Sequence, residues 1–180
     1  ASPATNTGAL PHCIVFRSNT GTPRASSASD VFSSPSPRMF GVRPVAAIVT
    51  LAAHVLVENV SVASIAAART AYATTDLRAR LARYHDDADS AFLGWNRIWL
   101  APDFRAWNIE EYLPRIACPV LALQGADDEY GTMEQMRRIG AQVRDVELLT
   151  LQDCRHSPQR DQPEAVIEAI TRFVDRTGSW

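Results

Sequence analysis

The apolar residues of this chain fall into two regimes that meet near residue 43. Before it, polar and turn-forming residues dominate, and one apolar cluster, Ile14-Val15-Phe16, stands isolated among them. After it, apolar positions recur with the periods of buried strands and amphipathic helices. Residues 45–53 (VAAIVTLAA) follow Pro44 as a nearly unbroken apolar run, the pattern of a strand buried on both faces of a parallel sheet. Residues 120–123, after Pro119, and 146–151 (VELLTL) read as two further strands. Between them Met133, Met136, Ile139 and Val143 recur at helical spacing, which predicts a helix over 132–143 and hence a β-α-β unit. A closing helix is predicted from Pro163, with Ala165, Val166, Ile170, Phe173 and Val174 on one face and the proline suited to its first turn. The stretch between the first and second strands reads as helices over 62–72, 76–91 and 104–112. This is an all-helical insertion, at about 55–115, in an α/β domain over 43–180 built on a parallel sheet.

Composition sharpens the boundary. Residues 1–42 hold 20 Ser, Thr, Pro or Gly and a single acid, Asp30, so this segment is expected to be irregular, with Pro23, Pro35 and Pro37 interrupting any helix drawn through it. The whole chain has 180 residues, a net charge of −2 and no run of basic residues to recruit phosphate backbones, which argues against nucleic acid as a partner. Its longest apolar run, nine residues, is too short to cross a bilayer as a helix, so no membrane span is expected. Cys13, Cys118 and Cys154 fit neither a disulfide framework nor a zinc site. With no charged segment leading into an apolar one at the start, the expected location is the cytoplasm.

Two loops carry candidate chemistry. After the second strand comes Gln124-Gly125-Ala126-Asp127-Asp128, which presents a carboxylate at the strand's carboxyl end. After the third comes Asp153-Cys154-Arg155-His156-Ser157-Pro158, with a histidine in the corresponding loop. Adjacent parallel strands bring such loops together at the edge where open α/β sheets bind ligands, and an acid that orients one imidazole nitrogen sets up the other, Nε2, as a general base.

In order and spacing, residues 43–180 resemble the C-terminal half of the α/β-hydrolase family. There, a strand is followed by a helical lid, then a Pro-Val-Leu-like strand with a G-x-x-D turn, a helix, a strand, the catalytic histidine and a final helix. Residues 116–128 (IACPVLALQGADD) match the acid segment. The resemblance implies Asp128, third after Gly125 and a better match than Asp127, as the acid, and His156 as the base. It further implies hydrolysis of an ester, or of a carbon-carbon bond, through a nucleophile-His-Asp triad that needs no cofactor and no metal. Trp95, Trp99 and Trp107 would then line a pocket for a small apolar acyl or aryl substrate, as lid residues do, or equally pack the lid's own core.

The family's nucleophile belongs upstream in a G-x-S-x-G turn, and no such pattern occurs here. Ser27 or Asp30 stands at about the expected distance, without a buried strand before it and with prolines where the next helix should run. The expectation is therefore a hydrolase truncated or frame-disrupted upstream of residue 43, either active through an unrecognised nucleophile or a non-catalytic binding protein. A three-strand remnant would leave the 45–53 strand with an open apolar edge, a surface for a homodimer. Three further readings are weighed. His54 ends the first strand and is read as structural rather than as part of the site mouth. His85 with Asp89 has metal-ligand spacing but reads as a solvated helix face. Cys154 near His156 invites a Cys-His reading, against which stands the poor line of attack from a neighbouring loop position.

Overall fold

The computed structural model describes residues 12–17 and 45–178. Its centre is a four-stranded sheet of order β1 (His12–Arg17), β2 (Val45–Leu51), β3 (Val120–Gly125) and β4 (Val146–Leu151). Strands β2, β3 and β4 are parallel, with Leu51 opposite Leu123 and Gly125 opposite Leu151. The three strands read from the sequence all form, β4 with the same ends. β1 was not expected: it pairs antiparallel with β2, His12 opposite Leu51 and Ile14 opposite Val49.

That pairing corrects two expectations. The 1–42 segment is not irregular throughout, because its apolar Ile14-Val15-Phe16 cluster lies inside a strand. The open edge expected on β2 is also occupied, so the argument for a homodimer through that edge loses its premise. The physical reason is common to both. An apolar β-branched and aromatic run is a poor loop but a good strand, and the unpaired backbone groups of β2 offer it a ladder. The other residues of 1–44, including Ser27 and Asp30, lie outside the described residues.

Side chains alternate across the sheet and define two cores. Ala47, Val49 and Leu51 of β2 and Leu121 and Leu123 of β3 pack with Val166, Ala169 and Phe173 of α6 (Pro163–Thr177). Val120 and Ala122, on the other face, pack with Met136 and Ile139 of α4 (Met133–Gln142) and with Leu113. The result is a helix-sheet-helix sandwich in which every residue of β3 is buried. Each large apolar side chain so enclosed, Phe173 for instance, stabilises the fold by about 2–3 kcal/mol. A one-turn helix, α5 (Pro158–Asp161), precedes α6.

The insertion between β2 and β3 is helical but more broken than its sequence period suggests. It contains α1 (Asn59–Thr74), α2 (Leu77–Leu81) and α3 (Ala88–Trp99). The helix expected over 76–91 is two helices, because Asp87 caps a new one by accepting from Ser90 N at 2.9 Å. The helix expected over 104–112 is instead two 3₁₀ segments, Pro102–Ala106 and Glu110–Arg115. Between them Ile109 N bonds Val55 O at 2.8 Å and Val57 N bonds Trp107 O at 3.2 Å. That strap takes the backbone bonds a continuous α-helix would have used. Among the described residues no helix is long and apolar enough to cross a membrane.

Candidate active site

The acid turn and the histidine loop meet because β3 and β4 are neighbours and because Gly125 has no side chain. A Cβ at Gly125 would sit 2.1 Å from Cys154 O and 2.4 Å from Arg155 O. With glycine there, Ala126 N bonds Leu151 O at 2.8 Å and Asp127 N bonds Cys154 O at 3.0 Å, tying one loop to the other through backbone alone. Beyond β4 the chain turns through Asp153, whose φ of 51° lies in the left-handed region that aspartate tolerates.

Across this junction His156 Nδ1 lies 2.9 Å from Asp128 Oδ1 and 3.1 Å from Oδ2. Their side chains are 5% and 1% exposed, so the pair is shielded from water. A carboxylate only accepts, so Nδ1 carries the proton of this contact and Nε2 is the nitrogen with base character. Asp128 is itself held: Oδ1 accepts from Tyr130 N at 2.8 Å and Gly131 N at 3.2 Å, and Oδ2 from Gln124 Nε2 at 3.2 Å. Asp127 is exposed, with its backbone in the turn, which separates the two adjacent acids by role.

Several residues that hold this pair went unread in the sequence. Gln124, buried in the last turn of an apolar strand, also donates to Gly131 O at 2.7 Å. The Glu129 carboxylate accepts from His156 N and from Arg155 Nε, both at 3.3 Å. From the insertion, Ser61 and Ser64, three apart on one face of α1, donate to Tyr130 O and Glu129 O. Gln135 of α4 accepts from Val55 N at 2.8 Å and donates to Leu56 O at 3.0 Å and Glu58 Oε2 at 2.7 Å. A sequence signal existed for Gln135, a polar residue one helical turn before Ile139 on the apolar face of α4. For Glu129 and the two serines there was none, since their partners lie far along the chain.

His54, read from the sequence as a structural residue at the strand end, lies against the Asp128–His156 pair. It is 8% exposed, its ring centroid lies 5.7 Å from that of His156 and 5.1 Å from that of Trp99, and its Nδ1 has no hydrogen-bond partner among the described residues. Burial, reinforced by the neighbouring His156, lowers its pKa to about 4, so the imidazole is neutral near pH 7. Trp99 continues into a cluster with Phe104 and Trp107 at 5.2 and 6.2 Å, while Trp95 meets Tyr130 at 6.5 Å, and Tyr130 meets His156 at 4.8 Å. The three half-buried tryptophans therefore extend from the Asp128–His156 pair into the insertion, with Trp107 the farthest removed.

The weighed alternatives end up elsewhere. Cys154 is fully buried in the α6-side core, and desolvation raises its thiol to about 11, so the thiolate that a Cys-His mechanism needs does not form at neutral pH. Asp89 is engaged by Arg78 at 2.5 Å and by the Tyr72 hydroxyl at 2.6 Å, while His85 lies exposed in the loop between α2 and α3. No group of three or more His, Cys, Asp or Glu with metal-ligand geometry occurs among the described residues.

This arrangement, a parallel sheet with a helical insertion after β2, an acid after β3 and a histidine after β4, is that of the α/β-hydrolase fold. Solved structures share it. A candidate non-heme bromoperoxidase, BpoC, from Mycobacterium tuberculosis H37Rv matches with a TM-score of 0.52 and 21% identity, over 75% of this chain and 59% of that one. CarC, a serine hydrolase involved in carbazole degradation, matches with a TM-score of 0.54 and 18% identity, over 73% of this chain and 54% of that one. The chain thus spans between half and three-fifths of the length of these structures. No protein-family model matches it, and no curated protein does.

Proposed function

We propose that this chain carries the acid-base half of a hydrolase site, in which His156, oriented by Asp128, activates a nucleophile for attack on an ester. The observation that carries the reading is the buried His156–Asp128 contact at 2.9 Å, at the sheet edge where parallel α/β folds bind ligands. In such a step Nε2 takes the nucleophile's proton as the bond to the acyl carbon forms. It then gives that proton to the leaving alcohol, and water repeats the cycle on the acyl-enzyme. Asp128 keeps Nδ1 protonated and balances the imidazolium that forms transiently. Carbon-carbon bond hydrolysis is the less favoured variant, since nothing in the described site selects it.

The substrate proposed is a small molecule with an apolar acyl or aryl part against Trp95 and Trp99, with Trp107 behind them. The mechanism requires no cofactor. A second reading, a binding protein with the hydrolase pocket but no turnover, is favoured by one specific fact, the lack of a G-x-S-x-G sequence in the chain.

A fluorophosphonate probe with peptide mass spectrometry separates the two. The expected result is one labelled serine in the folded protein, with the label lost in His156→Ala. A folded protein that takes up no label, and turns over no ester, would establish the binding reading instead.

A further inference from the structure

His54 has no task in the chemistry above, yet it sits where that chemistry happens. Three observations bear on it. Its ring lies near both Trp99 and His156, at centroid distances of 5.1 and 5.7 Å, just beyond the carboxyl end of β2. Its Nδ1 is buried with no hydrogen-bond partner among the described residues. Ala52, two residues before it and 2% exposed, is held at φ 52°, a left-handed conformation that is strained for a non-glycine residue. Buried polar nitrogens are almost always partnered, and backbone strain of this kind concentrates where a side chain must be aimed.

We propose that His54 is a specificity-determining residue that hydrogen-bonds an oxygen on the acyl part of the substrate, a few bonds from the scissile carbonyl. The class of substrate it selects is an oxygen-bearing acyl compound, such as a hydroxy- or keto-acyl ester, over the plain alkyl analogue. The proposal rests on the reading of the Asp128–His156 edge as the substrate-facing one, and it refines the apolar pocket above by placing one polar contact within it.

The chemistry suits the role. A neutral imidazole offers one donor and one acceptor, so it can bond a hydroxyl or a carbonyl without introducing a charge beside His156. Its low pKa keeps it in that form, because a second imidazolium at this distance from His156 would oppose the protonation that the base must undergo. An analogue without the oxygen leaves the nitrogen buried and unpaired, and a site built around a polar contact rejects such an analogue by about tenfold or more.

The test compares isosteres that differ by hydroxyl against methyl. Binding of β-hydroxybutyramide and isovaleramide to the whole chain is followed by long-range nitrogen-proton NMR of the histidine rings, which needs no nucleophile. Turnover of the para-nitrophenyl esters of β-hydroxybutyric and isovaleric acids is measured in parallel. The expected result is a preference of about tenfold for the hydroxyl compound, with the His54 ring nitrogens shifted by it and unshifted by its isostere. In His54→Phe and His54→Gln, both checked for folding by circular dichroism, Phe brings the ratio to within about twofold of one and Gln restores part of it.

Equal binding of the two amides, binding of neither, or a preference untouched in His54→Phe would overturn the proposal. Failure of the hydrolase reading looks different. In that case neither ester turns over, while the amides are still told apart through His54.

Discussion

At the residue scale the site depends on a few contacts whose removal has calculable effects. Asp128→Asn keeps the shape but reverses the donor-acceptor logic at Nδ1, so the wrong tautomer of His156 is favoured. Ester turnover is expected to fall by about a thousandfold or more, with substrate affinity little changed, as steady-state kinetics would read. His54 has an expected signature in stability. The unfolded chain takes up that proton near 6.5, the folded protein only near 4, so between these values the unfolded state binds more protons. His54's contribution is therefore fully present above 6.5 and is lost as the pH falls towards 4, amounting to about 3 kcal/mol over the window. Urea unfolding at a series of pH values would show this slope in the wild type, and a flatter one in His54→Phe.

Elements meet here through glycine and glutamine as well as through the apolar cluster that holds Val55, Met136 and Ile139. Gly125 lets the acid turn lie against the histidine loop, and a methyl group in its place would overlap the carbonyls of Cys154 and Arg155. Gly125→Ala is expected to destabilise the protein by about 3 kcal/mol, through backbone displacement rather than lost burial. It should also lower turnover, because the His156–Asp128 distance depends on the same approach. Gln135 joins α4 to the first residues after β2, and removing its side chain leaves Val55 N buried without its 2.8 Å partner. Gln135→Ala should cost about 1–3 kcal/mol and raise hydrogen exchange at the Val55 amide well before global unfolding, a local opening at the root of the insertion. With Ser61 and Ser64 fastened to the acid turn, α1 belongs to the frame of the site.

For the molecule as a whole, the two cores on either side of the sheet decide what a mutation on β2 reports. An open edge would make a charge at Val49 a probe of dimer dissociation. Val49 is instead fully buried in the core under α6, and β2 is paired on both sides. Val49→Asp is expected to abolish cooperative thermal unfolding, since it would desolvate a carboxylate within an apolar core. A folded monomer with an ordinary melting transition would contradict the assignment of this strand to the centre of the sheet.

Most of the α/β frame was legible from residue order alone. The three parallel strands, α4 and α6 are announced by apolar runs and helical periods, because burial on one or two faces writes itself into local sequence. The meeting of Asp128 with His156 was legible for a related reason, since the loops after adjacent parallel strands come together. What only the tertiary structure decided involves partners remote in sequence. β1 exists because β2 offers it an edge, and the helix expected over 104–112 gave way to a strap bonded to Val55 and Val57. The His54 ring lies near those of Trp99 and His156, on chain segments remote from it in sequence. Local pattern records which face of an element is buried, but a hydrogen bond or ring contact formed by chain segments dozens of residues apart leaves no period to read.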